Sequence, residues 1–282
     1  MDDLLISRLA ERLGALAVFP GDAGYDRRRQ VWNSTVDRFP AGIVAVRGQD
    51  DIRKAIMAAA TCGLSVCVKG GGHNIAGSAV ADGALMIDMA ALKQIEIDAK
   101  NRIARVGGGA TWGDLDAAAQ AYGLAAPGGV VSSTGVAGLT LGGGFGWLAR
   151  LHGLAVDNLL SAEIVLADST VAVCSQSEHP DLFWALRGGG GNFGIVSEFT
   201  FRLHPVGPTV LFGPTFFSLK DARAVLSAYA EHAPSLPRKA CVWANLMTAP
   251  PVPVLPESDH GTKVLTLMQF HAGTAESEHL IC

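Results

Sequence analysis

The stretch that decides the fold is residues 64–74, which reads LSVCVKGGGHN. The apolar run from Leu64 to Val68 predicts a strand that leads directly into three glycines. Because Gly70 to Gly72 carry no Cβ, their backbone N–H groups can approach a phosphate and form an anion-binding nest. His73 then lies beside whatever the phosphates anchor. A lone G-G-G-H is equally compatible with an ordinary turn, so the interpretation depends on the rest of the chain.

The composition predicts a compact globular protein with a small-molecule partner. The 282 residues are 49% hydrophobic and 17% charged, which excludes a disordered chain. A net charge of −4 without basic runs argues against nucleic acid or an anionic membrane surface as the main partner. The acidic start at Met1 is unlike a secretory signal, and no apolar run reaches the ~20 residues of a membrane span.

The five cysteines are scattered and contain no C-x-x-C pair. This pattern predicts neither a disulfide framework nor a metal site, and it favours a reducing, cytoplasmic location. The glycines are concentrated instead: 18 of the 34 fall between Gly70 and Gly146. Because these clusters alternate with apolar runs, they are predicted to be loops on a packed scaffold.

Local patterns predict an alternation of strands and helices around the glycine loops. A β-α-β unit begins the chain's apolar core, and Thr111 with Asp114 predicts a capped helix that ends near Gly123. The other predicted elements are the strand Ile43 to Val46, the helix Asp50 to Ala60, a hairpin around Asp168-Ser169, a short helix from Pro180 to Arg187 and a strand from Ile195 to Leu203.

The amino-acid composition changes after His204-Pro205. Glycine becomes less frequent, and prolines separate longer predicted elements. Ala222 to His232 predicts a helix, and two later strands, Cys241 to Leu246 and Lys263 to His271, are predicted to be antiparallel neighbours. Gln269 and His271 lie two apart and therefore face one side of their strand, as Trp243 and Asn245 do on theirs. These side chains are weak candidates for a substrate pocket, because a solvent-facing sheet predicts the same polar residues.

Several ordered motifs together resemble the FAD-linked oxidases of the berberine bridge enzyme type. They are Tyr25, Val31-Trp32-Asn33, Lys69 to Asn74, Gly135 to Gly138 with Leu141 to Gly146, Leu154 to Asn158 and Gly191 to Val196. The resemblance covers the first 205 residues. It implies an α+β fold: a PCMH-type, vanillyl-alcohol-oxidase-like FAD-binding domain of two α+β subdomains, then a partial substrate domain with an antiparallel sheet.

The predicted domain boundaries follow from this resemblance together with the change in glycine and proline content after His204-Pro205. Residues 1–36 form an N-terminal helix and lead-in, 37–207 the FAD-binding domain and 208–282 a partial substrate-binding domain. The chain stops inside a helix expected from Glu276 onward, so the resemblance implies that a C-terminal segment of the family is missing.

The resemblance implies FAD as the cofactor, attached covalently through His73 to the 8-methyl carbon of the flavin. Val131 stands where many relatives carry a second linking cysteine, so a single link is expected. Thr134 matches the position that controls oxygen access. The residues assigned to the cofactor are Lys69, Gly70, Gly71, Gly72, His73, Asn74, Ser132, Ser133, Thr134, Gly135, Gly138, Gly142, Gly143, Gly146, Asp157 and Val196. An Asx turn explains Asp157 equally well, and an ordinary turn explains the two serines.

The activity that the resemblance implies is an oxidase reaction. A small organic substrate such as a sugar, alcohol or secondary metabolite gives a hydride to flavin N5, with molecular oxygen as electron acceptor. No catalytic base is identified. One alternative is a non-catalytic, truncated flavin-binding remnant. Another is a nicotinamide-dependent dehydrogenase, against which no G-x-G-x-x-G follows a first strand.

Overall fold

The computed structural model describes residues 3–273, which form two units. The first unit contains residues 3–146 and 154–204, and the second contains 147–153 and 205–273. The helix predicted from Glu276 lies outside the described residues, and the division at residues 36 and 207 stays a prediction. None of the helices within residues 3–273 is long and apolar enough to cross a membrane.

The regular elements alternate along the chain. The helices are α1 (Asp3–Leu13), α2 (Tyr25–Arg29), α3 (Gln49–Thr61), α4 (Trp112–Gln120), α5 (Val136–Leu141), α6 (Ala149–His152), α7 (Pro180–Leu186) and α8 (Ala222–His232). The strands are β1 (Ala17–Val18), β2 (Gly42–Ala45), β3 (Val66–Lys69), β4 (Leu85–Asp88), β5 (Ile95–Asp98), β6 (Ile103–Gly107), β7 (Leu124–Ala125), β8 (Leu159–Val165), β9 (Val171–Ser175), β10 (Ile195–Arg202), β11 (His204–Pro205), β12 (Leu211–Ser218), β13 (Ala240–Thr248) and β14 (Lys263–His271).

The first unit begins with a four-stranded sheet in the order β1-β2-β4-β3. The predicted β-α-β start is confirmed, because β2 and β3 both run parallel to β4 and α3 connects them in the chain. The strand β4 lies between them, which no local pattern predicts. Ile52 and Ile56 form the buried face of α3, and they pack in a cluster with Leu9 of α1.

The second sheet of this unit has five antiparallel strands in the order β5-β6-β10-β8-β9. The predicted cap of α4 is confirmed, since Thr111 accepts a hydrogen bond from the Asp114 backbone N–H at 3.2 Å and Asp114 accepts one in return. Buried aromatic side chains fill the core between this sheet and its helices, with Trp112 against Phe201 and Phe201 stacked on Phe199.

The second unit is built on a three-stranded antiparallel sheet in the order β12-β14-β13. The predicted pairing of β13 with β14 is confirmed. The short helix α6 belongs to this unit, although its residues precede β8 in the chain. Trp147 stacks on Trp243 with ring centroids 4.1 Å apart, and the Arg150 guanidinium donates to the Ala240 carbonyl at 2.8 Å. Mixed helices and antiparallel sheets confirm the predicted α+β class.

Candidate functional site

The first unit contains a cleft in which ten of the 25 lining residues are glycine. Its lining comes from β3 and the loop 70–74, from Gly108, from residues 134–142 and from residues 190–196. The volume is about 670 Å³, within the ~300–1,000 Å³ typical of small-molecule sites. Three of the sequence motifs contribute residues to this glycine cleft: Lys69 to Asn74, Gly135 to Gly146 and Gly191 to Val196.

Two of the glycine loops touch through their backbones. A Cβ placed on Gly71 would lie 2.2 Å from the Gly135 nitrogen, and one on Gly135 would lie 2.4 Å from the Gly71 nitrogen. Neither position can carry a side chain without moving the other loop. The contact therefore fixes the loop 70–74 against the segment that precedes α5.

Four other glycines of the cleft are not required by any such contact within the protein. A Cβ on Gly138 or Gly191 would meet nothing within 4 Å, and one on Gly70 or Gly142 would meet only ordinary contacts at 3.6 Å. These four also avoid the left-handed backbone region that favours glycine. Since neither packing nor backbone requires glycine there, the missing side chains leave room for a ligand that approaches the backbone N–H groups.

His73 lines the cleft and is held on two sides. Its Nε2 lies 3.0 Å from Ser133 Oγ, and its ring stacks on Trp32 with centroids 5.5 Å apart and planes inclined by 22°. The Trp32 backbone N–H also donates to the Gly72 carbonyl at 3.0 Å. The imidazole therefore has a defined position at the cleft.

Lys69 supports the cleft from behind. Its ammonium donates to the carbonyls of Arg28 and Gln30 at 2.6 and 2.7 Å, and burial lowers the pKa of Lys69. Arg28 in turn forms an ion pair with the buried Asp88 at 2.9 Å. These contacts tie the end of α2 and the residue that follows it to the ends of β3 and β4, and the loop 70–74 begins at the end of β3.

The structure brings ten of the sixteen predicted cofactor residues to the cleft. They are Gly70, Gly71, Gly72, His73, Asn74, Thr134, Gly135, Gly138, Gly142 and Val196. The other six, which do not line it, are Lys69, Ser132, Ser133, Gly143, Gly146 and Asp157. Of these, Ser133 acts on the cleft through His73, and Lys69 holds the chain behind it.

The remaining four have local structural roles. Gly143 adopts φ +106°, and a Cβ on Gly146 would lie 2.0 Å from the Gly128 carbonyl oxygen. Asp157 accepts a hydrogen bond at 2.8 Å from the N–H of Leu154, three residues earlier, so its carboxylate caps the short 3-10 helix Ala155–Asn158 and does not form an Asx turn. The carbonyl of Ser132 accepts from the Gly113 N–H at 2.9 Å.

Sequence reasoning missed part of the apolar lining. Val66 and Val68 of β3 and Met89 after β4 line the cleft, and the two valines are 38% and 37% exposed. An apolar residue on both faces of β3 was the available signal, since a strand with only one buried face alternates with polar residues. The glycine run before β10, which leads into the motif Gly191 to Val196, also contributes, because Gly190 and Gly191 line the cleft.

The weak pocket candidates of the second unit do not share one polar surface. Gln269 donates to Thr215 Oγ1 at 2.7 Å, and His271 is 1% exposed. Trp243 is paired with Met268, whereas Gln269 is paired with Val242. Because directly paired residues lie on the same face of a sheet, Trp243 and Gln269 lie on opposite faces. Within residues 3–273, no group of His, Cys, Asp or Glu side chains could hold a metal ion.

The comparisons with known proteins agree with this geometry. Residues 40–175 match the FAD binding domain family. The chain is 35% identical over 232 residues to (R)-6-hydroxynicotine oxidase of Paenarthrobacter nicotinovorans, which covers 82% of this chain and 47% of that protein. It is 39% identical over 186 residues to glucooligosaccharide oxidase of Sarocladium strictum, covering 64% and 36%. The solved structure of the Physcomitrella patens berberine bridge enzyme-like protein 1 matches with a TM-score of 0.86 at 29% identity, covering 97% of this chain and 57% of that chain.

The fold and the glycine cleft thus define a flavoprotein domain that binds FAD. The matched relatives and solved structures are FAD-linked oxidases and berberine bridge enzyme-like proteins, which confirms both the resemblance to that family and the predicted PCMH-type fold. It spans about half the length of the relatives reported above that match most of it. The residues present fit the cofactor, because open glycine backbone suits a diphosphate and the apolar side chains of β3 suit a ring system.

Proposed function

We propose that this chain is an FAD-dependent oxidoreductase that oxidises a small organic molecule and passes the electrons to molecular oxygen. The observation that carries the proposal is the glycine cleft, where Gly70, Gly138, Gly142 and Gly191 are glycine without any need from packing or backbone. Bound FAD supplies the hydride-accepting ring. The protein holds it and excludes side chains from the space that it occupies.

The flavin is proposed to be covalently attached through His73 alone. The imidazole lines the cleft, and the contact of Nε2 with Ser133 leaves the other ring nitrogen for the cofactor. Cys67 also lines the cleft, but its burial raises the pKa of the thiol and makes it a poor thiolate nucleophile. Val131, at the position of the second link in relatives, has no nucleophilic group.

The substrate is proposed to be a sugar, an alcohol or a secondary metabolite. The matched relatives are named for oxidation of a hydroxynicotine and of a glucooligosaccharide, which are both small organic molecules. Thr134 lines the cleft, so it is positioned to influence whether oxygen reaches the cofactor. Oxygen as the acceptor and a cytoplasmic location are parts of the same proposal.

The experiment that tests the proposal follows the flavin. Purified protein is examined by visible absorbance and then precipitated with acid, in parallel with a His73→Ala variant. Yellow colour in the wild-type pellet, and only in the supernatant of the variant, is the expected result. A colourless protein would refute FAD binding, and colour released from the wild type would refute the covalent link.

A second measurement addresses turnover. Oxygen consumption is followed with a panel of oligosaccharides, alcohols and 6-hydroxynicotine, and the rates are divided by flavin content. We expect turnover with at least one class of substrate. A protein that carries a full complement of flavin and consumes no oxygen with any member would support the flavin-binding remnant.

A further inference from the structure

His73 and Ser133 are 60 residues apart in the chain, yet their side chains meet at 3.0 Å. Two backbone features bring them together. One is the close approach of Gly71 and Gly135, which places the loop that carries His73 in contact with the loop that carries Ser133.

The other feature is the anchoring of the serine loop to the start of α4. The Trp112 N–H donates to the Thr134 carbonyl at 3.0 Å, and the Val136 N–H donates to the Ala110 carbonyl at 2.9 Å. Ser133 is thus held by its neighbours on a loop that packing and hydrogen bonds fix. A hydroxyl presented in this way can orient the group that it contacts.

The contact with Ser133 distinguishes the two nitrogens of the His73 ring. Nε2 faces the hydroxyl, while the described residues give Nδ1 no hydrogen-bond partner. When Nε2 carries the proton and donates it to Ser133 Oγ, Nδ1 keeps its lone pair in the ring plane. The stacked Trp32 ring limits rotation of the imidazole out of that plane.

We infer that Ser133 is a positioning residue for covalent attachment of the flavin, which holds His73 in the form whose Nδ1 is the nucleophile. This inference rests on the proposed function. In the attachment, a C–H bond of the 8-methyl group breaks and a bond from Nδ1 to that carbon forms. Two electrons and two protons, one from the methyl carbon and one from the imidazole, reduce dioxygen to hydrogen peroxide.

A hydroxyl can hydrogen-bond to the His73 ring both before and after attachment of the flavin. Before attachment, Nε2 carries a proton and Ser133 Oγ accepts it; after attachment, Nε2 has lost that proton and the Ser133 O–H donates to it. A hydroxyl is donor and acceptor at once, so the contact persists with its direction reversed. An alkyl side chain at this position supports neither form.

The test compares Ser133→Thr with Ser133→Val, which have nearly the same shape and differ in the hydroxyl. Ser133 is exposed, so both side chains have room. Purified apoprotein is incubated with FAD in air, and the fraction of flavin that precipitates with protein in acid is measured over time. We expect the threonine variant to attach flavin at the wild-type rate and the valine variant about fivefold more slowly, the rate equivalent of one neutral hydrogen bond. Non-covalent FAD affinity, measured before attachment, is expected to be unchanged in both.

Equal attachment rates in the threonine and valine variants would overturn the inference while the His73 link stands. Loss of non-covalent FAD affinity in the valine variant would also overturn it, because the hydroxyl would then act in binding rather than in positioning. Ser133→Ala repeats the measurement without added methyl groups. Failure of the proposed link is distinguishable from these results, because wild-type flavin would then be released by acid as in His73→Ala.

Discussion

Replacing Gly71 by alanine tests the loop contact on which the whole glycine cleft depends. The new Cβ would lie 2.2 Å from the Gly135 nitrogen and 2.7 Å from its Cα, so the clash is with backbone and not with a flexible side chain. Overpacking of this kind typically costs 1–3 kcal/mol, and a rigid neighbour favours the upper end, about 3 kcal/mol. The control is Gly70→Ala in the same loop, where the Cβ would meet only the Gly108 carbonyl oxygen at 3.6 Å.

The assay is urea unfolding followed by tryptophan fluorescence. With a slope of about 3 kcal/mol per molar, Gly71→Ala is expected to lower the midpoint by about 1 M, and Gly70→Ala to leave it within a few tenths. A Gly71→Ala midpoint equal to that of Gly70→Ala would refute the reasoning, since two loops in backbone contact cannot both keep their positions around a methyl group.

Three further predictions concern stability elsewhere. Burial raises the pKa of the Cys174 thiol above its ordinary value of 9.0, so the contribution of this thiol to the free energy of unfolding should be constant below pH 9 and fall above it. Cys174→Ala should reduce that slope by up to ~1.4 kcal/mol per pH unit in denaturant titrations, and an unchanged slope would contradict this. Arg28→Ala should lower the free energy of unfolding by about 2 kcal/mol because it leaves the buried Asp88 carboxylate unpaired; Arg28→Lys, as control, should recover part of it, and no loss would show that water replaces the pair. Arg150→Leu should speed amide hydrogen exchange in β13, because loss of the guanidinium hydrogen bond to the Ala240 carbonyl costs about 2 kcal/mol. Equal exchange rates in the variant and the wild type would show that this hydrogen bond does not stabilise β13.

Elements with strong local signals could be predicted from the sequence. The α3 and α8 helices and the β14 strand lie where apolar spacing placed them, and Thr111 caps α4 as its spacing with Asp114 predicted. In these cases the information is contained within a few residues: a period, a cap and a turn. The order of strands in the first sheet is different, because the insertion of β4 between β2 and β3 depends on pairing across the chain.

The strand β12 shows why local signals fail. Its sequence contains Gly213 and Pro214, and proline argues against an internal strand. Among residues 3–273, β12 lies at the edge of its sheet, where a side without a partner strand tolerates a missing N–H donor. A sequence pattern does not reveal which strands lie at the edge.

The residues of the candidate site also fall into those that local sequence signals predict and those that depend on contacts between distant parts of the chain. The open glycines of the cleft could be predicted, because a run of glycine after a strand has a local physical meaning. The arrangement around His73 could not, since the Ser133 hydroxyl comes from a loop 60 residues away. Lys69 shows the opposite kind of difference between sequence and structure. Its position beside the glycines predicted a contact with the ligand, whereas its ammonium donates to backbone carbonyls 41 and 39 residues earlier in the chain.

The placement of α6 bears on how this protein could be divided or recombined. The chain passes from one unit to the other after residues 146, 153 and 204, so the second unit is assembled from two separate stretches. A polypeptide that begins at residue 205 would lack Trp147 and Arg150, and with them an aromatic stack and the anchor of β13. Exchange of the second unit between relatives by a single crossover would therefore pair one protein's sheet with another protein's helix. A hybrid with matched partners requires the short segment 147–153 to be transferred together with the sheet.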